Sequence, residues 1–236
     1  MVSRRDFLLH KAVRNGDIKG VRALLAQGAN VNVPDRQQQT PLMYAAQRGD
    51  RQLLTTLLAA GAAVNQASFP HRQTALMFAA GANRVGAVSI LLEAGAEVNA
   101  TNDDGSPALM IAAYKGYGEI VQQLLSAGAG VNLVDKDGDT ALSLAIQGNH
   151  PEIVRALLEG GAGLTAGLGG LAAAILANSV AIAKIVLTHG GDINAPNGEG
   201  QPPLVQAAVA NQTEMTQFCS LWERMPMAAI ARGKQP

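Results

Sequence analysis

The chain is poor in the residues that build disulfide-linked domains, sheets and membrane spans. Its 236 residues include one Cys, one Trp, three Tyr and four Phe, while Lys plus Arg and Asp plus Glu both number 18. One cysteine excludes an internal disulfide and an all-cysteine metal site. Scarce aromatics disfavour a sheet-based core. No uninterrupted apolar run reaches the roughly 18 residues of a membrane span, and zero net charge disfavours a general nucleic-acid or membrane-surface binder.

Leucine and glycine, in contrast, recur with a constant spacing along the chain. The intervals between successive aligned leucines are 33, 34, 33, 33, 29 and 33 residues, for Leu9, Leu42, Leu76, Leu109, Leu142, Leu171 and Leu204. A glycine series keeps the same intervals, at Gly28, Gly61, Gly95, Gly128, Gly161 and Gly190. A fixed period of this length is typical of a stack of repeated structural units.

Each unit has the signals of two short helices. Thr40 and Pro41 can cap and start a first helix. Seven residues after each aligned leucine stands a Gly or an Asn, at Gly16, Gly49, Asn83, Gly116, Asn149, Asn178 and Asn211. These residue types enter the left-handed region most readily, so each first helix is predicted to end there. A second helix with apolar residues at helical spacing follows and ends at the glycine series.

The segment Thr40-Pro41-Leu42-Met43-Tyr44-Ala45 and the near-33 period resemble the ankyrin repeat family. The resemblance implies an all-α repeat solenoid of about seven helix-turn-helix units joined by short β-hairpin-type loops. Residues 1–218 form the predicted array, with units near 6–33, 34–66, 67–100, 101–133, 134–166, 167–195 and 196–218. The sixth unit is about four residues short and lacks the Asp/Gly turn. The family histidine is kept only at His10 and is replaced by Met at three positions, which indicates apolar filling there.

Residues 219–236 do not follow the repeat pattern. Cys219 and Ser220 stand where the paired leucines of the seventh unit belong, and Glu223 stands at its glycine position. Codons for this stretch, shifted by two bases, permit Leu-Leu-x-x-Gly-Ala-Asp-Ala, which is the repeat consensus. We therefore expect either an out-of-frame tail or a divergent cap in which Phe218, Leu221, Trp222 and Met225 cover the last repeat. The nucleotide sequence decides between the two.

No catalytic or metal-binding pattern is found in the sequence. The four histidines have no partners at ligand spacing. Asp135, Asp137 and Asp139 resemble the start of a calcium loop, but its glycine and glutamate positions hold Thr140 and Ile146. Cys219 has no nearby histidine. The sequence predicts no enzyme activity, no cofactor and no metal site.

The resemblance implies a scaffold that binds another protein through a concave surface of loop tips and first helices. The predicted partner-binding residues are the variable family positions, with Tyr114 and Phe69 as anchors: Arg36, Gln37, Gln39, Gln47, Arg48, Phe69, His71, Arg72, Asp103, Asp104, Tyr114, Lys115, Lys136, Asp137 and Asp139. A monomer in the cytoplasm that contacts neither nucleic acid nor membrane is expected.

Two other functions remain open from the sequence alone. The chain is either a truncated recognition part of a longer multi-repeat protein or enzyme-associated subunit, or an exported protein that uses Arg4-Arg5 as a twin-arginine signal. Only three apolar residues follow that arginine pair, where a signal needs about 7 to 15.

Overall fold

The computed structural model describes residues 3–164 and 170–225. These residues form fourteen helices and no strand, and the single isolated bridge joins Thr101 to Pro107. The helices are α1 Arg4–Asn15, α2 Ile18–Ala26, α3 Pro41–Arg48, α4 Arg51–Ala59, α5 Ala75–Gly81, α6 Val85–Glu93, α7 Ala108–Lys115, α8 Gly118–Ser126, α9 Ala141–Gln147, α10 Pro151–Glu159, α11 Gly170–Leu176, α12 Val180–Thr188, α13 Pro203–Val209 and α14 Thr213–Glu223. The seven predicted helix pairs are therefore confirmed.

The chain divides into two compact units. The N-terminal unit comprises residues 1–112 and 117–130, and the C-terminal unit comprises residues 113–116 and 131–236. In the N-terminal unit, α3 packs against α1, α4 and α5, and α6 packs between α4 and α8. In the C-terminal unit, α11 packs against α9, α12 and α13, and α12 packs between α10 and α14. These helices thus pack against helices of the neighbouring pairs within their own unit.

The left-handed residues lie where the sequence predicts them. The backbone φ angle is +76° at Gly16, +75° at Gly49 and +79° at Gly116, and it lies between +48° and +55° at the four asparagines. At Gly16 and Gly49 the cap N–H donates to two carbonyl groups of the preceding helix turn. The turn between the two helices of a pair is therefore fixed by residue type.

The core is made of the repeated apolar positions. Leu42, Leu76 and Leu109 are each at most 2% exposed, and the methionines that replace the family histidine are equally buried. Met43 also acts as an acceptor, because its Sδ atom lies 3.3 Å from the donating N–H of Thr40. Methionine thus fills the core and satisfies the N-cap backbone donor at once.

An asparagine joins the first repeat to the second, the second to the third and the fourth to the fifth through the same pair of hydrogen bonds. The Asn32 side chain donates to the carbonyl oxygen of Gly61 at 3.1 Å and accepts from the N–H of Ala63 at 2.7 Å. Asn65 makes the same two bonds to Gly95 and Glu97. In the C-terminal unit Asn132 makes them to Gly161 and Gly163. One amide therefore satisfies two backbone groups and fixes the register between repeats.

Polar side chains of one repeat also cap the first helix of the repeat before it. Nη1 of Arg48 donates to the carbonyl oxygen of Arg14 at 2.8 Å, and Nε of Arg84 donates to that of Gln47 at 3.0 Å. In the C-terminal unit, Nε2 of His150 donates to the carbonyl oxygen of Tyr114 at 3.1 Å. Gln212 likewise donates to Ile175 at 2.8 Å. These bonds satisfy carbonyl groups that a helix C-terminus leaves without intrahelical partners.

Three of these capping residues, Arg84, His150 and Gln212, directly follow a left-handed asparagine. This repeat position has two alternative roles. Where it holds Asp17, Asp50 or Ser179, the side chain instead accepts an N–H of its own second helix. Arg84 and His150 make no such bond to their own helices. The residue type therefore decides which of two helix ends is capped.

Replacing Arg84 by Ala should lower the free energy of unfolding by about 0.5–1 kcal/mol, because the cap on α3 is lost. Arg84→Asp should lose less, since the new carboxylate can cap α6 as Asp50 caps α4. Urea unfolding followed by circular dichroism measures both. Arg51→Ala is the control, because the Arg51 side chain packs near Gly86 and caps no carbonyl. Equal losses in all three variants would contradict the capping role.

The last helix extends beyond residue 218, the predicted end of the array. Phe218, Cys219 and Trp222 are buried, and the two rings lie 5.5 Å apart between centroids. Leu221, in contrast, is 54% exposed. The out-of-frame hypothesis for residues 219–236 stays a prediction. The predicted shortening of the sixth unit falls partly on residues 165–169, which lie outside the described residues. Most of the predicted tail falls on residues 226–236, which also lie outside them.

Candidate functional site

The loop tips before the first helices have a common hydrogen-bonded frame. Oδ1 of Asp35 accepts the N–H of Gln37 at 2.8 Å and of Gln39 at 3.2 Å. Asn102, Asp135 and Asn197 accept the equivalent pairs of N–H groups in their own repeats. This side-chain acceptor holds the tip residues in a defined turn. The tip of the third repeat is one residue longer and uses Ser68, whose Oγ accepts the N–H of Gln73.

The predicted partner-binding residues all lie on these tips or at the ends of first helices. None of the fifteen is buried. Phe69 is 71% exposed on the third tip, and Tyr114 is 56% exposed near the end of α7. Arg48 differs from the others, because its guanidinium already caps α1. Exposure is compatible with contact to a partner, and the binding role stays a prediction.

The third and fourth tips contact each other within the N-terminal unit. Nδ1 of His71 lies 3.2 Å from Oδ2 of Asp103, and the backbone N–H of Asp103 donates to the carbonyl oxygen of His71 at 3.1 Å. Both are predicted site residues, so the structure brings this pair together. The backbone bond holds the tip that carries Phe69 against its neighbour.

A polar cluster between the first two repeats was missed by sequence reasoning. Asp35 forms an ion pair with Arg14 and accepts the hydroxyl of Tyr44 at 2.8 Å. The guanidinium of Arg14 lies 4.3 Å above the Tyr44 ring, and the Tyr44 hydroxyl also lies 2.8 Å from Oε1 of Gln37. Burial opposes ionisation of Asp35, but hydrogen bonds from Tyr44 and from two backbone N–H groups outweigh it, so the pKa of Asp35 is lowered. The cluster connects the second tip to both first helices.

His10 lies beside this cluster in a structural role. Its Nε2 donates to the carbonyl oxygen of Val33 at 2.8 Å, and its ring meets the Tyr44 ring edge-on at 6.0 Å between centroids. Burial lowers the pKa of His10, although the bond to Val33 opposes that shift. His10 is therefore neutral near pH 7 and ties the first repeat to the second.

Exposed apolar side chains in the C-terminal unit were also missed. Leu176 on α11 is 69% exposed and Val209 on α13 is 70% exposed. Both stand five residues after their aligned leucines, the position held by Tyr114 in α7 and Gln147 in α9. Comparing this one position across all repeats would have found them from the sequence.

Leu176 contributes to a cleft of about 520 Å³ in the C-terminal unit. One wall is the fifth tip and the side of α9, and the other wall is α11. The lining residues are Asp137, Gly138, Asp139, Ser143, Gln147, Ala173, Leu176 and Ala177. We refer to this groove as the sixth-repeat cleft.

Nucleophilic and metal-binding groups show no comparable assembly within residues 3–164 and 170–225. No group of three His, Cys, Asp or Glu side chains there could hold a metal ion. Burial, with a smaller contribution from Glu223, raises the pKa of the Cys219 thiol to about 11. The thiol is therefore protonated and shielded at neutral pH.

A comparison with known families matches the chain to ankyrin repeats, described in three copies, over residues 9–102 and 95–167. Together these stretches cover more than half of the chain. The chain belongs to the ankyrin repeat family. The match ends before α11, yet the two following helix pairs continue the ankyrin repeat pattern. A comparison with curated proteins found none that matches.

Membership of the ankyrin repeat family gives the general role of the chain. Ankyrin repeats are protein–protein interaction modules and are typically non-catalytic. None of the described helices is long and apolar enough to cross a membrane.

Proposed function

We propose that this ankyrin repeat protein is a non-catalytic scaffold that binds another protein through its loop tips and the exposed ends of its first helices. The observation that carries the proposal is the exposure of Phe69 on the third tip and of Tyr114 near the end of α7. A large exposed aromatic side chain is unfavourable in water and is enriched at binding hot spots. The fifteen predicted residues, from Arg36 to Asp139, form the proposed contact set.

The frame beneath this surface supports a binding role. The tips are held by side-chain acceptors such as Asp35 and Asn102, and the third and fourth tips are joined by His71 and Asp103. A surface that is ordered before binding loses less conformational entropy when a partner docks. Affinity can then come from a few anchors rather than from a large area.

Charge distribution supports a partner with its own charge asymmetry. Residues 1–100 carry 11 Lys and Arg against 6 Asp and Glu, a net +5, and residues 101–236 carry 7 against 12, a net −5. Such a chain would attract a partner whose charges run in the opposite order. The proposal includes a monomer in the cytoplasm, where a single reduced cysteine is ordinary.

The proposal is tested by affinity capture of a partner on the immobilised full chain, followed by titration with Tyr114→Ala and Phe69→Ala variants. If an anchor contributes about 2 kcal/mol, its truncation to Ala should lower the affinity for the captured partner about 30-fold. The melting temperature should stay unchanged, because both side chains are exposed. Leu221→Ala is the matched control, since Leu221 is comparably exposed on the second helix of its pair.

Two results would overturn the proposed function. One is that the immobilised full chain captures no protein partner, although the wild type and the variants are equally folded. The other is a captured partner whose affinity falls only in Leu221→Ala, which would place binding on a different surface.

A further inference from the structure

The sixth-repeat cleft has one acidic and one apolar wall, and this combination specifies the chemistry of an occupant. The apolar wall is formed by Ala173 and Leu176 of α11 and by Ala177, which follows that helix. Leu176 is 69% exposed. Val205 and Val209 on α13, which packs against α11, are also exposed. Apolar side chains left exposed at a cleft are typical of contact surfaces.

The opposite wall contributes carboxylates. Asp137 is exposed on the fifth tip, and Oδ1 of Asp139 accepts bonds from Ser143 Oγ at 2.8 Å and from Gln147 Nε2 at 3.0 Å. Asp135 does not line the cleft, because its Oδ1 holds the turn through the N–H groups of Asp137 and Asp139. Lys136 is absent from the lining residues as well. The charge presented to the cleft by these side chains is therefore negative.

The surrounding unit strengthens this negative potential. The described residues of the C-terminal unit carry nine Asp and Glu against five Lys and Arg. A carboxylate beside an apolar wall interacts more strongly with a cation than one in open water, because the local dielectric constant is lower. A cation with an aliphatic stem satisfies both walls, and Arg and Lys side chains have that form.

We propose that the sixth-repeat cleft binds a basic and apolar segment of the protein partner. An Arg or Lys of that segment pairs with Asp137 and Asp139, and an adjacent aliphatic side chain packs on Leu176. The inference rests on the proposed function, because it names the chemistry of the segment that the scaffold binds. The cleft volume of about 520 Å³ accommodates a few side chains rather than a folded domain.

The test selects random twelve-residue peptides displayed on phage against the immobilised full chain. The selected peptides are then synthesised with a fluorescent label, and their affinities are measured by fluorescence anisotropy at low and high salt. We expect the peptides to contain an Arg or Lys next to Leu, Ile, Val or Met. Their affinity should fall at least about tenfold in Asp137→Lys and in Leu176→Gln, and it should fall with salt in the wild type.

Matched controls carry the same chemical changes at other places. Glu199→Lys makes the same charge reversal at the same tip position in the seventh repeat, and Leu221→Gln alters an exposed leucine on a second helix. Both should leave peptide affinity within about twofold of the wild type. All four substitutions lie at exposed positions, so thermal unfolding should be unchanged and folding failure can be distinguished from loss of binding.

The outcomes separate the two proposals. Peptides that lose affinity in Tyr114→Ala or Phe69→Ala but not in Asp137→Lys or Leu176→Gln would overturn this inference and leave the scaffold function standing. Acidic or uncharged peptides that require Leu176 would also overturn it. A wild-type dimer that dissociates in Leu176→Gln, seen by light scattering, would assign the cleft to a second copy of the chain. Absence of any bound peptide or protein would overturn both proposals.

Discussion

Replacing Leu57 by Ala is expected to lower the free energy of unfolding by about 2–5 kcal/mol. Leu57 is fully buried on α4, which packs against α2, α3 and α6. Truncation to Ala reduces the buried apolar area and leaves a cavity, which the helices on both sides can fill only in part. Urea unfolding monitored by circular dichroism gives the change in midpoint and slope.

Leu24→Ala is the matched control for Leu57→Ala. Leu24 occupies the same repeat position on α2, but it is only half-buried, and α2 packs mainly against α1 and α4. We expect less than half of the loss seen at Leu57, because less apolar area is removed from the core. Equal losses at the two positions would contradict the view that each repeat is stabilised mainly by its two neighbours.

Asp35→Asn is expected to destabilise the protein by about 1–2 kcal/mol, whereas Asp135→Asn should change stability by less than about 0.5 kcal/mol. Asparagine can hold the tip in both repeats, as Asn102 and Asn197 do. Only Asp35, which is 12% exposed, also pairs with Arg14 and accepts the hydroxyl of Tyr44. The difference between the two variants therefore measures the contribution of the charged cluster to stability, separately from that of the turn.

The pH dependence of this difference is fixed by the lowered pKa of Asp35. A carboxyl group whose pKa is lower in the folded than in the unfolded state contributes its full stability above the unfolded pKa of about 3.9. That contribution is lost as the pH falls through the folded pKa. The wild type should therefore exceed Asp35→Asn at pH 6–7, and the gap should close in acid. A constant gap from pH 7 to pH 2 would contradict an ionised Asp35 as the stabilising form.

Helix boundaries could be predicted from the sequence because they depend on single residues. Gly49 directly follows the end of α3 and Asn83 lies two residues after the end of α5, because few other residue types adopt a positive φ without strain. Thr40 starts a helix because its hydroxyl accepts the N–H of Met43. Such local causes repeat every 33 residues and are visible without coordinates.

The side-chain contacts between repeats could not be predicted in the same way. The cluster of Arg14, Asp35 and Tyr44 depends on distances across two repeats, and the residue types at the positions of Arg14 and Tyr44 change from one repeat to the next. The exposure of Leu176 was hidden for another reason. Ile175 and Leu176 are adjacent apolar residues in a seven-residue helix, and that helix alone does not show that Ile175 is buried and Leu176 is exposed. The alignment of Leu176 with Tyr114 and Gln147 in other repeats does indicate it.

The residue after each left-handed Gly or Asn can cap either its own second helix or the first helix of the preceding repeat. This choice affects how the protein unfolds. Asp17 and Asp50 stabilise the repeat to which they belong, whereas Arg84, His150 and Gln212 stabilise the junction with the preceding repeat. In a nearest-neighbour description of a linear array, the first kind raises intrinsic repeat stability and the second raises interfacial coupling. Exchanging one kind for the other would change the cooperativity of unfolding, so partial unfolding from one end could be tuned at a single residue per repeat.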